Sequence, residues 1–381
     1  MSSRQSNVAP AFHKTTETIM AGAKSLAQRY FVSREIFAQE QSKIFSEQWI
    51  LVGHQSQIPK AGDYFISDVA GESLIVVRDH RSTIRSFYNV CRHRGTRLRE
   101  DQSGHVLAIQ CPYHAWTYGL DGRLLGAPHM DGVPGFDKAD YSLHPVNLGL
   151  WEGFIFVNLT NASTSRSNRD CMSLEEWFAP LAGKFPNLPK LRSAKRIDYD
   201  VQANWKLIFE NYSECYHCPG VHPALSKLSP YDSAENDLTE GPLLGGFMRI
   251  TKGNSLTMSG KSCALPIGDF RDFDRIFYYS IFPNMLLSLH PDYVMVHQLR
   301  PLSPDRTLIL CDWFFHPQAF ERGDFKPDDA IEFWDMTNKQ DWHVCELSQQ
   351  GIGSRAYEPG PYSPRESIPA AWDQEYLRQM A

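Results

Sequence analysis

Two cysteines and two histidines alternate in pairs along the segment CRHRGTRLREDQSGHVLAIQCPYHAW. Cys91 and His93 form the first pair, and Cys111 and His114 form the second after 17 intervening residues. Each pair stands where a predicted strand passes into a loop, so two such loops at one end of a small sheet would bring four metal ligands together. Two thiolates and two imidazoles can bind a [2Fe–2S] cluster, with sulfur on one iron and nitrogen on the other.

A structural zinc site is the alternative for these four residues, because it also uses two cysteines and two histidines. Zinc fingers usually pair cysteine with cysteine and histidine with histidine, whereas each pair in this chain is mixed. The mixed spacing, in loops that contain several glycines and a proline, therefore favours the iron–sulfur cluster over zinc.

A second group of candidate metal ligands lies in the segment NWKLIFENYSECYHCPGVHP. His217 and His222 are five residues apart, and Glu214 precedes His217 by three. We expect a helix that ends near Pro219, with Glu214 and His217 on one face and His222 returning from the following loop. Two histidines and one carboxylate leave open positions on a ferrous iron, as oxygen binding requires. Taken alone, such a short motif more often marks ordinary surface or core histidines than metal ligands.

The elements that would position these residues divide the chain into three parts. Helix-like apolar spacing in residues 20–48 predicts an N-terminal helical segment, which we bound at residues 1–46. Short β-rich runs separated by Gly, Asp and Pro indicate a small antiparallel β unit in residues 47–160. The polar residues 161–170 are interpreted as a linker. Helical and strand segments alternate within residues 171–381, so we predict an α+β fold class for the chain.

Composition and charge exclude several classes of protein. A hydrophobic content of 42% and a charged content of 22% are typical of a globular protein. The formal net charge of −6 gives no reason to expect a nucleic-acid partner. The apolar runs are too short to span a membrane, and the N-terminal residues do not resemble a signal peptide. We therefore expect a cytoplasmic protein with no membrane partner.

Eight cysteines are too sparse for a disulfide scaffold in a chain of 381 residues. Four of them stand alone and are predicted to be small buried hydrophobic residues: Cys171, Cys263, Cys311 and Cys345.

The segments CRHRGTRL and CPYHAWTYGLDGRL resemble the cluster-binding segments of the Rieske family, and WEGFIFVNL resembles the strand that closes such domains. The segment ECYHCPGVH resembles the mononuclear iron site in the large α subunit of Rieske non-haem iron oxygenases. The resemblance runs from Trp49 to the C-terminus. It implies an all-β Rieske domain at residues 47–160 and a catalytic domain at residues 171–381, built on a helix-covered antiparallel sheet. Residues 1–46 would pack with the catalytic domain.

The same resemblance implies roles for individual residues. His217 and His222 would bind the mononuclear iron, and the segment QDWHVCELSQQGI resembles the helix of the third ligand, which assigns Asp341. Asp335 competes for that role and is otherwise interpreted as a solvated helix residue. Glu214 would be no ligand, but a bridge from His217 to His114 of the neighbouring subunit in a homotrimer.

Cys215 and Cys218 flank His217. The resemblance gives them no ligand role, and no second cysteine pair completes a four-ligand site with them, so they are interpreted as packing residues.

The resemblance also implies an activity. The chain would be an oxygenase component that uses O2, a [2Fe–2S] cluster and Fe(II) to hydroxylate a small-molecule substrate. It has no GxGxxG after a strand and no second four-cysteine set, so NAD(P)H and flavin would belong to a separate reductase. Glu214, where ring dioxygenases typically have Asp, resembles the branch that N-demethylates quaternary ammonium compounds such as carnitine and glycine betaine. Aromatic residues in RIFYYSIFPN and DWFF are candidates for the substrate cage, or for the core.

Two alternatives to N-demethylation stay open at this point. The first is a ring-hydroxylating dioxygenase, in which the same metal centres act on an aromatic substrate. The second, from another functional class, is a Rieske electron carrier whose second domain has lost its activity. The complete set of Glu214, His217, His222 and Asp341 argues against the carrier.

Overall fold

The computed structural model describes residues 11–18, 20–160, 172–185, 187–267 and 273–381. The predicted linker at 161–170 and the isolated Cys171 lie outside these residues. The chain forms two compact units. The larger unit comprises the residues up to Phe37, Pro180–Asn187 and Leu191–Ala381, and the smaller unit comprises Ala38–Ala179 and Leu188–Lys190.

Antiparallel strands build both units. In chain order, the strands of the described residues are β1 (His13–Lys14), β2 (Ile50–His54), β3 (Asp63–Val69), β4 (Glu72–Arg78), β5 (Ile84–Tyr88), β6 (Ser103–His105), β7 (Ile109–Gln110), β8 (Thr117–Tyr118), β9 (Leu124–Gly126), β10 (Asn147–Trp151), β11 (Phe154–Asn158), β12 (Arg192–Val201), β13 (Glu235–Leu238), β14 (Leu243–Arg249), β15 (Arg275–Ile281), β16 (Met285–Leu289), β17 (Val294–Ser303) and β18 (Arg306–Phe315).

The α-helices of the described residues are α1 (Arg29–Val32), α2 (Arg34–Glu40), α3 (Leu174–Trp177), α4 (Trp205–Tyr212), α5 (Cys218–Val221), α6 (Pro223–Leu228), α7 (Asp328–Ile352) and α8 (Ser367–Met380). A π-helix at Gln41–Phe45 follows α2 directly and buries Ile44 and Phe45.

The smaller unit consists of three small antiparallel sheets, with strand orders β5-β4-β3-β6, β10-β11-β2 and β7-β8-β9. Strand β4 buries the consecutive residues Leu74 to Val77, all at 0% exposure, so both faces of this strand are covered. The run is rich in β-branched side chains, which suit a pleated surface. Trp116 and Tyr118, next to the predicted cluster ligands, belong to the same hydrophobic core.

The larger unit is an eight-stranded antiparallel sheet in the order β1-β13-β14-β15-β16-β17-β18-β12, packed against α4, α7 and α8. Helix α4 lies between the other two helices and contacts β17. The rings of Trp205 on α4 and Trp372 on α8 meet edge to face at 5.4 Å. The predicted α+β class, with a helix-covered antiparallel sheet, is confirmed.

Helix α7 is the longest helix of the described residues and carries Asp341. Its two aspartates in the first turn, Asp328 and Asp329, stabilise the positive end of the helix dipole. Its buried side chains recur every three or four residues, as in a helix with one face in a core: Ile331, Trp334, Asn338, Trp342, Cys345, Gln349 and Ile352. No helix within the described ranges is long and apolar enough to cross a membrane.

Candidate metal centres

The loop after β5 holds Cys91 in a tight backbone turn. The N–H of Cys91 donates to the carbonyl of Thr96 at 2.8 Å, and the carbonyl of Cys91 accepts from the N–H of Gly95 at 3.0 Å. Gly95 has a φ of 74°, in the left-handed region where glycine has no steric penalty. This turn buries the thiol of Cys91, which is 3% exposed, and leaves His93 exposed on the loop.

The loop after β7 repeats the same turn around Cys111. Its N–H donates to the carbonyl of Trp116 at 2.8 Å, and its carbonyl accepts from the N–H of Ala115 at 3.1 Å. Ala115, like Gly95 in the first loop, is four residues after the cysteine and has a positive φ, here 56°. The two buried thiols are therefore presented by equivalent turns, in two loops that each follow a strand.

The two imidazoles of these loops lie against each other. The ring of His93 stacks on Trp116 at 4.8 Å, and its centroid is also 4.8 Å from that of His114. The Nδ1 atom of His114 is buried and has no hydrogen-bond partner among the described residues. A buried ring nitrogen without a partner is costly unless it binds something, so the donor set suits a cluster held by two thiolates and two imidazoles.

Tyr118 is a residue of this site that the sequence did not reveal. Its hydroxyl lies 3.3 Å from the Sγ atom of Cys91 and accepts from the N–H of Arg92 at 3.0 Å. Burial and the neighbouring Cys91 raise the pKa of Tyr118, so the phenol keeps its proton. Because the hydroxyl already accepts from Arg92, it can donate that proton to the cysteine sulfur.

The second group of predicted ligands converges at one point of the larger unit. The Nε2 atoms of His217 and His222 are 3.2 Å apart. The Oδ1 atom of Asp341 lies 3.2 Å from the first of these nitrogens and 2.8 Å from the second. The three residues form a group that could hold a metal ion. The structure thus brings together the two histidines of one loop and a carboxylate more than 100 residues away in the sequence.

Both histidines are oriented through their other ring nitrogen. Nδ1 of His217 lies 2.5 Å from Oε1 of Glu214, and Nδ1 of His222 lies 2.8 Å from Oε1 of Gln340. An amide oxygen and a carboxylate can only accept, so each Nδ1 carries a proton and each Nε2 of a neutral ring presents a lone pair. When both rings are neutral, the two lone pairs and the Asp341 carboxylate can together bind one cation. Gln340 was not identified from the sequence.

Electrostatics at this site favour positive charge. Burial by itself lowers the pKa of His217, but the carboxylates of Asp341 and Glu214 outweigh burial and raise that pKa to about 10. Burial acts to raise the pKa of Asp341, yet hydrogen bonds to His217 and His222 hold it below its usual value. The same charges that retain a proton here would stabilise a divalent metal ion.

The predicted helix through His217 is wrong. Helix α4 ends at Tyr212, and Glu214 and His217 lie in the loop that follows. The carboxylate of Glu214 accepts from the backbone N–H groups of Tyr216 and His217, which replaces helical hydrogen bonds by a side-chain-bonded turn. Glu214 and His217 therefore meet within a loop and not on a shared helix face.

The interpretation of Cys215 and Cys218 as packing residues is also wrong. The structure joins them in a disulfide with a Cα–Cα distance of 5.0 Å. This bond closes the loop that carries His217, because the histidine lies between the two cysteines in the sequence. Of the isolated cysteines, Cys311 and Cys345 are buried as predicted, whereas Cys263 is only partly buried.

Asp335, the competing carboxylate, is not part of the three-residue group. Its Oδ1 accepts from the hydroxyl of Tyr199 at 2.8 Å, and its Oδ2 lies 2.7 Å from Nζ of Lys339, one turn along α7. The side chain is 25% exposed, so the interpretation of Asp335 as a solvated helix residue needs correction. Asp335 is engaged in structural contacts on another face of the helix.

A cavity of about 320 Å³ contains the three-residue group in its wall. Seven aromatic side chains of the described residues also line this wall, namely Tyr212, Tyr216, Tyr231, Phe247, Tyr278, Trp334 and Trp342. Tyr278 comes from the segment RIFYYSIFPN, as predicted, whereas Trp313, Phe314 and Phe315 of DWFF are buried in the core. His297 also lines the cavity at 1% exposure, and burial lowers its pKa to about 4, which keeps this ring neutral.

Two family models match the chain. One describes the Rieske [2Fe–2S] domain and matches residues 48–137. The other describes the catalytic domain of the ring-hydroxylating α subunit and matches residues 188–381, about half of the chain. The two sites described above lie within these two matches.

Curated relatives and solved structures agree with these models. The glycine betaine monooxygenase oxygenase subunit of Chromohalobacter salexigens is 34% identical, over 90% of this chain and 82% of the relative. The carnitine monooxygenase oxygenase subunit of Escherichia coli K12 is 30% identical, over 88% of this chain and 86% of the relative. A solved quaternary ammonium Rieske monooxygenase is 27% identical and superposes with a TM-score of 0.78, over 94% of this chain and 95% of that one.

The fold and the two sites define a protein with a Rieske domain and a non-haem iron domain. The chain belongs to the family of Rieske oxygenase α subunits. It is therefore an iron-dependent oxidoreductase, with a Rieske [2Fe–2S] cluster and a mononuclear iron as cofactors. It is an oxygenase component that acts on a small molecule and takes NAD(P)H-derived electrons from a separate reductase. The family membership that the sequence motifs predicted is confirmed.

Proposed function

We propose that this chain hydroxylates an N-methyl carbon of a quaternary ammonium compound. The observation that carries the proposal is the convergence of His217, His222 and Asp341 within 3.2 Å of one another in the wall of a cavity rich in aromatic rings. The relatives named for glycine betaine and carnitine monooxygenation support the same substrate class.

The reaction balances with one O2, two electrons and two protons. One oxygen atom enters a C–H bond of the substrate as a hydroxyl group, and the other leaves as water. The resulting carbinolamine breaks its C–N bond to release formaldehyde and the demethylated amine. When bound, the ferrous iron supplies oxygen activation and the cluster supplies single electrons.

His217, His222 and Asp341 are our candidates for the iron ligands, and Glu214 and Gln340 hold the two imidazoles so that both Nε2 atoms face the carboxylate. Three protein ligands would leave coordination positions open on an iron, as oxygen binding requires. In the smaller unit, the corresponding candidates for the cluster are the two thiols and two imidazoles of the paired loops: Cys91, His93, Cys111 and His114.

The aromatic side chains of the cavity suit a trimethylammonium group, which is attracted to ring faces. The polar end of Tyr212 is bonded to Ser288 at 2.8 Å, and that of Trp334 to Tyr293 at 2.6 Å. Their hydrogen-bonding groups are therefore used within the core, and the cavity is left with their ring carbons. Burial raises the pKa of Tyr212, so its phenol stays protonated and uncharged in the cavity wall.

We further propose a homotrimer in which Glu214 bridges His217 to His114 of the neighbouring subunit. Glu214 is already bonded to His217, and its side chain keeps 11% exposure. The solved relative reported above is described in terms of inter-subunit electron transfer, which supports this arrangement. A cytoplasmic location is proposed with it, because the NAD(P)H for a reductase is available there.

The test is product analysis with purified chain and a surrogate reductase. Glycine betaine and L-carnitine are each expected to yield stoichiometric formaldehyde that depends on O2 and NAD(P)H. The iron content expected is three per chain, two in the cluster and one mononuclear. Turnover of an aromatic hydrocarbon, with no formaldehyde from either quaternary amine, would overturn the substrate class.

A further inference from the structure

We propose that Arg365 binds a carboxylate of the substrate, so that the preferred substrate is a zwitterion with a quaternary ammonium group at one end and an acid at the other. This inference rests on the proposed function and adds to it a residue that determines specificity. It begins from the charges that line the cavity of the larger unit.

Among the described residues in the wall of this cavity, the lysine and arginine side chains are Lys14 and Arg365. Lys14 is exposed on the two-residue strand β1, whereas Arg365 is half-buried just before α8. The acids in the same wall are Glu214, Asp341 and Asp232. Glu214 and Asp341 are hydrogen-bonded to the histidines, and Asp232 is exposed. None of these three acids is paired with the half-buried Arg365 within the described residues.

The backbone of Arg365 is held in place by the turn that begins α8. Its N–H donates to the hydroxyl of Ser363 at 3.1 Å. The N–H of Ser363 in turn donates to the Glu366 carboxylate at 2.7 Å, and the N–H of Glu366 donates to the carbonyl of Ser363 at 3.0 Å. These bonds fix the point of the backbone from which the Arg365 side chain extends.

The guanidinium of Arg365 is free for an anion. It lies over the ring of Tyr231, 4.9 Å from the centroid, and Tyr231 lines the same cavity. Within the described residues it makes no ion pair, in contrast to Arg196, which is paired with Asp312 at 2.6 Å. A contact with a ring face uses none of the guanidinium's N–H groups, so these groups can bind a carboxylate through two parallel hydrogen bonds.

The consequence is a division of the cavity between the two ends of one substrate. Aromatic rings share the cavity wall with the candidate metal ligands and would attract the quaternary ammonium group, whereas Arg365 would attract the carboxylate. A quaternary ammonium alcohol such as choline offers no carboxylate and would gain nothing from Arg365. The inference therefore predicts preference for betaine acids over choline.

The experiment compares glycine betaine or L-carnitine with choline in three variants of the reconstituted holoenzyme. Arg365→Gln is expected to lower kcat/KM for the acid roughly 10- to 100-fold, mainly through KM, because a charge-assisted hydrogen-bonded pair is lost. The same change should leave kcat/KM for choline within about twofold. Arg365→Lys should restore part of the loss, and Arg355→Gln, an exposed arginine outside the cavity wall, serves as the matched control.

The outcomes separate this inference from the proposed function. If the wild type demethylates acids and choline, and Arg365→Gln lowers both equally or neither, the role of Arg365 is overturned while the proposed function stands. If the wild type releases formaldehyde from none of these compounds, the proposed function fails and this inference fails with it. Selective loss on the acid substrate, partly restored by lysine, is the supporting result.

Discussion

Gln340 and His222 are joined by a hydrogen bond of 2.8 Å between Oε1 and Nδ1, across 118 positions of the sequence. Glu214 makes the corresponding bond to His217 at 2.5 Å. The two imidazoles that face Asp341 are therefore oriented by different groups, one by a neutral amide and the other by a carboxylate. A carboxylate partner makes its imidazole a stronger donor to a metal, so the two candidate ligands are not equivalent.

Gln340→Leu is expected to weaken mononuclear iron binding roughly 10- to 100-fold, because His222 loses the acceptor that fixes its ring. Iron content and competition with a chelator measure the change, and the Rieske spectrum should be unaffected. The matched control is Gln350→Leu, an exposed position on the same helix. Unchanged iron affinity in Gln340→Leu would refute the positioning role.

Asp341→Ala should remove mononuclear iron and turnover, since it deletes the carboxylate that faces both Nε2 atoms. Asp335→Ala should keep the iron and lower the free energy of unfolding by about 1 kcal/mol, because the hydroxyl of Tyr199 loses its acceptor. Metal analysis and chemical denaturation of both variants provide the measurements. Loss of iron in Asp335→Ala with retention in Asp341→Ala would exchange the two roles.

Tyr118→Phe should keep the cluster but lower its reduction potential, because the hydroxyl no longer stabilises the extra negative charge on the Cys91 sulfur in the reduced state. Electron-resonance-monitored redox titration measures the shift. Tyr113→Phe is the control, since the exposed ring of Tyr113 stacks on His114 while its hydroxyl does not contact the cysteine. Equal potentials in wild type and Tyr118→Phe would contradict the assigned hydrogen bond.

Glu214→Gln should retain both metal centres and lose most oxygen transfer, because an amide cannot accept hydrogen bonds from two imidazoles as a carboxylate can.

Mixing of subunits tests directly whether electrons pass from the cluster of one subunit to the iron of its neighbour. Cys91→Ala chains would lack the cluster and His217→Ala chains would lack the iron, so each is expected to be inactive alone. Co-expression should restore partial activity in mixed trimers. Mixed trimers that form and stay inactive would exclude transfer between subunits.

Asp373 on α8 predicts a pH dependence of stability. Burial raises the pKa of Asp373 to about 7, against the opposing contacts with Tyr362, Glu210 and Lys206. Its pKa in the unfolded chain is about 3.9, so between these values the native state retains a proton that the unfolded state releases. The free energy of unfolding should therefore fall as pH rises from 4 to 7. In Asp373→Asn, chemical denaturation at pH 5 and at pH 7.5 should show a smaller difference than in wild type.

Residue types and local spacing were enough to predict much of this protein. The two mixed pairs at Cys91 and Cys111 predicted two loops that each follow a strand, and the structure places both cysteines in such loops, with the same backbone turn around each. The helix that carries Asp341 was also expected, from the resemblance of the segment QDWHVCELSQQGI, and α7 spans that segment. Spacing carries this information because the contacts concerned lie within about one turn or one loop.

The tertiary structure decided the features that depend on distant residues. No local sequence pattern indicates three of these placements: Gln340 next to His222, Tyr118 next to Cys91, and Arg365 in the cavity wall. The break of α4 after Tyr212 was missed, because the Glu214 carboxylate competes for backbone N–H groups that a helix pattern assigns to carbonyls. The residue types in a sequence determine which hydrogen-bonding and metal-binding side chains are available. Folding determines which of them meet, since only packing brings side chains a hundred residues apart within hydrogen-bond distance.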